Sequence, residues 1–162
     1  MTNIKTIEAT LLFLLRDNQI LLAMKKRGFG AGLYNGVGGK IDVGETIEQA
    51  AIRECQEEIG VTPKNLQKVA NLFFTFTNEA KETQQDMKVT AFVSREWDGQ
   101  PTETEEMAPK WFNQVDIPFD QMWQDDPYWL PIVLAGKSVT GIFIFDDKDN
   151  LQDATIKNAL FD

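Results

Sequence analysis

The most informative part of the 162-residue chain is GKIDVGETIEQAAIRECQEEIGV, residues 39–61. It predicts a helix over residues 46–59, because Thr46 followed by Gln49 three positions later is typical of a capping box. Gly60 then supplies the residue with which helices commonly end. The segment is therefore a loop that leads into one amphipathic helix.

Three glutamates of this helix share one face. Glu54, Glu57 and Glu58 stand at positions i, i+3 and i+4, beside small and apolar side chains. One interpretation is a solvated surface in which Arg53 pairs with Glu57. The other is a metal site, because carboxylates near a helix C-terminus oppose the macrodipole and require a compensating cation. A cluster of oxygen ligands selects a hard ion such as Mg²⁺ or Mn²⁺.

The composition excludes several other chemistries. The chain has no His and one Cys, Cys55, so a Ser-His-Asp triad, a His-ligated zinc ion and an internal disulfide are all impossible. A net charge of −9 argues against binding to a nucleic acid polymer. The apolar run at residues 9–15 is too short to span a bilayer and lacks the features of an export signal. We expect a cytoplasmic protein without a membrane partner.

The rest of the chain predicts one α+β domain over residues 1–162. Glycines crowd residues 28–39, which predicts a loop or tight turn. A polar connection is expected at residues 78–86. Strands are predicted at residues 9–15, 19–24, 73–76, 89–93, 110–112, 139–145 and 151–157, with hairpins across residues 16–18 and 146–150 and a second helix over residues 125–135.

Segment 39–61 resembles the Nudix box, in which G, five residues, E and seven residues precede REUxEExGU, where U is aliphatic. Gly39, Glu45, Arg53, Glu54, Glu57, Glu58, Gly60 and Val61 occupy the required positions, and Cys55 stands at the first U. The resemblance implies an α/β/α sandwich with a mixed sheet and a loop-helix-loop catalytic motif. It also implies hydrolysis of a nucleoside diphosphate linked to another moiety.

The resemblance assigns roles within the box. Glu54, Glu57 and Glu58 would hold Mg²⁺, which neutralises phosphate charge and activates water, with Mn²⁺ as a substitute. Arg53 would orient a glutamate, and Glu45 would brace the loop. The implied catalytic residues are Glu45, Arg53, Glu54, Glu57 and Glu58, and the implied metal ligands are Gly38 through its carbonyl, Glu54, Glu57, Glu58 and Glu106. Glu103 and Glu105 leave the identity of the last ligand open.

A closer resemblance, over residues 10–145, is to the animal-type members of the family that hydrolyse oxidised purine nucleoside triphosphates. It rests on MKKRGFGAG (24–32), YNGVGGK (34–40) and MWQDDPYW (122–129). Tyr34 stands where those relatives usually have Trp, and Gln124 replaces a Pro. The implied substrate-binding residues are Thr10, Leu11, Lys25, Phe29, Asn35, Gly39, Lys40, Phe74, Phe76, Met87, Trp123, Asp125 and Asp126.

The residue types suit a purine pocket. The Asn35 amide and the Asp125 and Asp126 carboxylates can pair with a base edge, and aromatic rings can stack on its face. Core packing is the alternative for each aromatic residue. The leading hypothesis is a monomeric Mg²⁺-dependent pyrophosphohydrolase that acts on oxidised purine nucleotides. The alternatives are a hydrolase of ordinary nucleotides or nucleotide sugars, and a non-catalytic nucleotide sensor.

Overall fold

A mixed β-sheet with one helix on each face forms the protein, in a computed structural model that describes residues 4–161. Among these residues, no helix is long and apolar enough to cross a membrane. The elements in chain order are β1 (Ile7–Arg16), β2 (Gln19–Lys25), β3 (Tyr34–Asn35), α1 (Ile47–Ile59), β4 (Thr62–Lys64), β5 (Gln67–Thr77), β6 (Thr83–Ser94), β7 (Glu96–Asp98), β8 (Met107–Asn113), α2 (Asp126–Leu134), β9 (Ser138–Phe145) and β10 (Leu151–Ala159).

Strand β1 divides the two halves of the core. It runs parallel to β6, and β5 runs parallel to β9, while the other pairings are antiparallel. Phe13 and Leu15 pack in the cluster that contains α2 residues, whereas Leu12 and Leu14 pack in the cluster that contains α1 residues. An apolar run without alternation is therefore a strand that is buried on both faces.

Helix α1 confirms the predicted start and stop. The Thr46 hydroxyl accepts from the Gln49 amide, and the Gln49 side chain accepts from the Thr46 amide, which completes the capping box. Gly60 ends the helix with a φ of 72°, in the left-handed region that glycine adopts without strain. The helix buries Ala51 and Cys55 against the sheet, and this orientation fixes where its acidic face points.

Strands β1 and β2 form the predicted hairpin only at its turn. Only two residue pairs join them, Leu15 with Ile20 and Arg16 with Gln19. Strand β2 instead pairs with β8 and, near its end, with β3. The glycine-rich segment at residues 36–40 fills the gap that opens beside β1. The α/β/α sandwich is confirmed, and this gap in its sheet is where the predicted site residues converge.

Several sequence-based boundaries were wrong. The predicted loop at residues 28–39 contains β3. Residues 73–76 and 89–93 are only parts of β5 and β6, and the polar connection is residues 78–82 rather than 78–86. The ladder continues through this polar end, where Phe76 pairs with Gln85 and Thr77 with Thr83, and the Thr75 hydroxyl donates to the Asp86 carboxylate at 2.7 Å. The paired strands β4 and β7 were missed because each has only three residues. Helix α2 and the β9–β10 hairpin are confirmed within about two residues.

Candidate active site

The site is organised around two glycines that lie against β1. The Thr10 amide donates to the Gly39 carbonyl at 2.9 Å, and the Leu12 and Val37 backbones exchange hydrogen bonds of 2.7 and 3.0 Å. A Cβ atom on Gly38 would stand 1.9 Å from the Thr10 carbonyl oxygen. A Cβ atom on Gly39 would stand 2.7 Å from the Glu54 carboxylate. Only glycine allows this segment to contact both β1 and the acidic helix.

Arg53 connects the loop before α1 to the helix itself. Its guanidinium donates to both oxygens of Glu45, from Nε at 2.7 Å and from Nη2 at 2.9 Å. Nη2 also donates to the Lys40 carbonyl at 3.1 Å. The hydrogen bonds and charge of Arg53 lower the pKa of Glu45. In turn, the hydrogen bond to Glu45, and next the hydrogen bond to Glu54, raise the pKa of Arg53. This bidentate pair is the geometry expected of a brace.

The same guanidinium reaches the acidic face. Nη1 donates to Glu54 at 2.8 Å and to Glu57 at 3.3 Å. The ion pair between Arg53 and Glu57, expected of a plain charged surface, is therefore present. It is one contact in a network that also holds two half-buried carboxylates, Glu45 and Glu54, against the loop.

Glu58 is the unusual member of the acidic face. Its side chain is buried, with 5% of the residue exposed, and Oε2 has no hydrogen-bond partner. Burial, reinforced by the neighbouring Glu54 carboxylate, raises the pKa of Glu58 to about 9, while the Gly38 amide acts in the opposite direction. A buried carboxyl with a free oxygen, beside other carboxylates, is a group that a divalent cation would stabilise.

The carboxylate oxygens of the acidic face therefore suit a hard ion, although the side chains do not already surround a metal position. Within residues 4–161, no three acidic side chains stand close enough to hold a metal ion as they are. Arg53 occupies Glu54 and Glu57, and the Glu57 side chain is 60% exposed. Mg²⁺ commonly keeps several waters and binds through one or two carboxylates, so a small movement of these side chains would suffice.

Glu106 lies across from the helix on the loop before β8. Its charge adds to the rise in the pKa of Glu58. Its side chain accepts from Arg27 at 3.4 Å, and its carbonyl accepts from the Lys26 amide at 2.8 Å. Lys26 also pairs with Glu103. The loop that carries Glu106 is thus joined to the loop between β2 and β3, residues 26–33.

A pocket of about 190 Å³ opens beside the two glycines. All of the predicted substrate-binding residues line it except Lys40. The Lys40 carbonyl accepts from Arg53, so this residue belongs to the brace of the loop, and its contact with substrate stays a prediction. Residues that the sequence analysis did not include also line the pocket, among them Ala9, Gly30, Leu33, Leu72, Val89, Met107, Trp129 and Phe145.

Aromatic rings form one wall of the pocket. Trp123 lies 5.0 Å from Phe29, 6.5 Å from Phe76 and 5.6 Å from Phe145 between ring centroids. Phe29 is 58% exposed, so it stands at the mouth rather than in the core. These tilted and edge-on contacts leave ring surface available for a planar ligand. Nothing in the sequence around Phe145 distinguished it from an ordinary core residue.

Two adjacent carboxyls lie among these apolar side chains. Asp125 is 3% exposed and Asp126 is 2% exposed. The Trp129 indole donates to Asp125 at 2.9 Å, whereas Oδ2 of Asp126 has no partner. Burial raises the pKa of Asp125 to about 6, and burial together with the charge of Asp125 raises the pKa of Asp126 well above its usual range. A buried carboxyl without a partner is costly unless a ligand satisfies it.

Asn35 contributes a fixed amide to the same pocket. Its Oδ1 accepts from the Gly36 amide at 2.8 Å, so its amino group remains the part available to a ligand. The pocket therefore combines an aromatic wall, one amide donor and two carboxyls, and it shares Gly38 and Gly39 with the acidic helix.

Comparison with known proteins agrees with this arrangement. The NUDIX domain model matches residues 5–132. The chain is 46% identical to the oxidized purine nucleoside triphosphate hydrolase of Danio rerio, over 86% of this chain and 87% of the relative. It is 43% identical to the protein of the same name from Mus musculus, over 93% of this chain and 94% of the relative.

Solved structures share the fold. The MutT protein from Bacillus halodurans superposes with a TM-score of 0.84, covering 93% of this chain and 97% of that chain at 22% identity. At that identity the likeness concerns the fold alone. It agrees with the mixed sheet and the two flanking helices described above.

The buried carboxyls predict an unusual dependence of stability on pH. Their folded pKa values lie above those of the unfolded chain, near 4, so their contribution is complete below that value. It is lost as the pH rises through the folded values, about 6 for Asp125 and higher for Asp126. Asp126→Asn should therefore gain at least about 1 kcal/mol of unfolding free energy relative to the parent between pH 5 and pH 8.

Urea unfolding at the two pH values measures this difference. The raised pKa of Glu58 changes the unfolding free energy of both proteins equally, so it does not affect the comparison. Asp120→Asn is the matched control, because Asp120 is exposed in the preceding turn and should show no such gain. If the difference between Asp126→Asn and the parent were the same at pH 5 and pH 8, Asp126 would not be a carboxyl of raised pKa.

Proposed function

The chain belongs to the NUDIX family, and we propose that it hydrolyses oxidised purine nucleoside triphosphates to the monophosphate and diphosphate. The observation that carries this proposal is the pair of buried carboxyls, Asp125 and Asp126, in an aromatic pocket next to the acidic helix. A relative named for this activity shares 46% identity over most of both chains. Removal of damaged nucleotides before a polymerase can use them is the proposed role.

The pocket would bind the base through complementary hydrogen bonds. An ionised carboxylate accepts from ring N–H and amino groups, and a protonated carboxyl donates to a purine oxygen. In 8-oxoguanine, N7 carries a hydrogen, so it offers a donor where guanine offers an acceptor. Asp125 and Asp126 supply both forms if one is protonated, Asn35 adds a donor, and Trp123 covers the ring.

The acidic helix would act on the phosphates. Glu54, Glu57 and Glu58, with the Gly38 carbonyl and Glu106, would hold Mg²⁺, or Mn²⁺ in its place. When bound, such an ion neutralises phosphate charge and makes water a better nucleophile. Arg53 orients Glu54 and Glu57 and is itself fixed by Glu45. Attack of water on phosphorus would break the anhydride bond between the α- and β-phosphates and release monophosphate, diphosphate and a proton, so no nucleophilic side chain is required.

The alternatives are less consistent with the residues present. A nucleotide sensor without turnover would not need the complete carboxylate set, which this chain retains. A hydrolase of ordinary nucleotides or nucleotide sugars would not need two buried carboxyls of raised pKa in its base pocket. We further propose a monomer of the cytoplasm that binds free nucleotides rather than nucleic acid polymers.

The proposed metal site predicts a loss of rate rather than of base binding. Glu57→Gln and Glu58→Gln should each lower kcat at least about 100-fold, because the lost ligand stabilises charge in the transition state. Turnover of 8-oxo-dGTP with Mg²⁺, followed by chromatographic identification of monophosphate and diphosphate, measures this effect. Glu48→Gln makes the same chemical change on the exposed first turn of α1 and should leave kcat unchanged. Near-normal turnover of a Glu57 or Glu58 variant at saturating Mg²⁺ would remove that residue from the site.

The paired carboxyls predict acceptance of more than one oxidised purine. Because a proton can reside on either Asp125 or Asp126, the pair can match a guanine-like or an adenine-like edge. We expect activity on both 8-oxo-dGTP and 2-oxo-dATP. Asp125→Asn and Asp126→Asn should shift the ratio of their kcat/KM values by about one to two decades, since a lost buried hydrogen bond costs about 1–3 kcal/mol.

Steady-state kinetics on both substrates from pH 6 to pH 9 measure these ratios. Asp120→Asn again serves as the exposed control. Ratios that stayed unchanged in both variants across this range would show that neither carboxyl reads the base.

A further inference from the structure

The segment at residues 122–126 carries the base-reading side chains but has little regular structure to hold it. It follows a 3₁₀ turn and ends at Asp126, the first residue of helix α2, outside every strand. Its Asp126 amide donates to the Trp123 carbonyl at 3.1 Å, and its Met122 amide donates to the Phe119 carbonyl at 3.3 Å. Both are local turns, so they do not fix the segment relative to the sheet.

Gln124 is the one exposed side chain among the five, and it points away from the pocket toward the β9–β10 hairpin. Its Oε1 accepts from the Leu151 amide at 2.8 Å. Its Nε2 donates to Oδ1 of Asn150 at 3.1 Å. The two ends of one carboxamide therefore bind the last residue of the turn and the first residue of β10.

The turn that receives Gln124 is itself well organised. Oδ1 of Asp146 accepts from the Lys148 and Asn150 amides at 2.9 Å each. The Asp146 amide donates to the Asn150 carbonyl at 2.9 Å, and Oδ2 accepts from the Gln152 side chain at 3.1 Å. A closed turn of this kind is a firm attachment point, because its backbone polar groups are already satisfied.

The same hairpin contacts the pocket at a second point. Phe145, at the end of β9, lies edge-on to Trp123 at 5.6 Å and stacks on Phe76 at 5.6 Å. Trp123 is thus placed by a ring contact on one side and by the neighbouring Gln124 on the other. We propose that Gln124 is a positioning residue, which anchors the base-reading segment to the β9–β10 turn and so sets the distance between Trp123 and the opposite pocket wall. This inference rests on the proposed function, because it assumes that the pocket holds a purine.

Gln124→Ala should raise KM for 8-oxo-dGTP about three- to tenfold and leave kcat within about twofold, since the acidic helix is untouched. It should also lower the preference for 8-oxo-dGTP over dGTP, an effect that a general loss of stability would not produce. Gln124→Glu retains an acceptor for the Leu151 amide, and the Asn150 amide can rotate to donate to it. This conservative variant should therefore restore KM to near the parent value.

Asn150→Ala should produce a smaller rise in KM, and the double variant with Gln124→Ala should be no worse than Gln124→Ala alone. The matched control is Gln121→Ala, an exposed glutamine in the adjacent 3₁₀ turn. It should change neither KM nor substrate preference. A proportional fall of kcat and melting temperature in Gln124→Ala, without a change in preference, would overturn the positioning role.

Amide hydrogen exchange tests the anchor without any substrate. Gln124→Ala should speed exchange at Leu151 and at Asp126, because the segment and the turn separate together. Faster exchange at Leu151 alone, with KM unchanged, would overturn the inference. A parent protein that turned over no oxidised purine would defeat the proposed function, while exchange at Asp126 would still decide whether Gln124 anchors the segment.

Discussion

The close approach of residues 36–40 to β1 is the constraint on which the site depends. Strands β1 and β2 pair only beside their turn, and residues 36–40 occupy the edge of β1 that is left without β2. A Cβ atom on Gly38 would collide with the Thr10 backbone, and a Cβ atom on Gly39 would displace the Glu54 carboxylate. One short segment therefore forms both the floor of the pocket and the border of the acidic helix, which places a bound base and its phosphates in fixed relation.

Burial of carboxyls governs both ends of the site. Glu58 beside the glycines and Asp125 with Asp126 in the pocket have raised pKa values because each has lost its hydration. At the helix, the charge of Arg53 already compensates the other glutamates, and a bound cation would compensate the charge of Glu58. In the pocket, a ligand with matching donors and acceptors would serve the same purpose. The protein thus retains costly groups where a ligand can satisfy them, as binding sites commonly do.

The sequence predicted most of the architecture. The capping residues predicted the bounds of α1, and the uninterrupted apolar run predicted that β1 is buried on both faces. The resemblance to the Nudix box predicted the α/β/α sandwich. Sequence could not predict β4 and β7, because three residues are too few for a hydrophobic period to appear. It also could not predict the polar ends of β5 and β6, because pairing between the two strands, and not hydrophobicity, extends them there. It also missed Phe145 and the anchoring contact of Gln124, because both depend on a hairpin distant in sequence. The roles of the individual site residues remain predictions.

Selectivity for the oxidised base is the property by which the pocket is best tested. 8-Oxo-dGTP and dGTP share the deoxyribose and the triphosphate and differ only at C8 and N7, so the ratio of their kcat/KM values with Mg²⁺ isolates recognition of the base. A pocket whose carboxylate accepts from N7–H should favour 8-oxo-dGTP by at least about tenfold, because guanine would place a lone pair against the carboxylate. Equal values, or a preference for dGTP, would contradict the account.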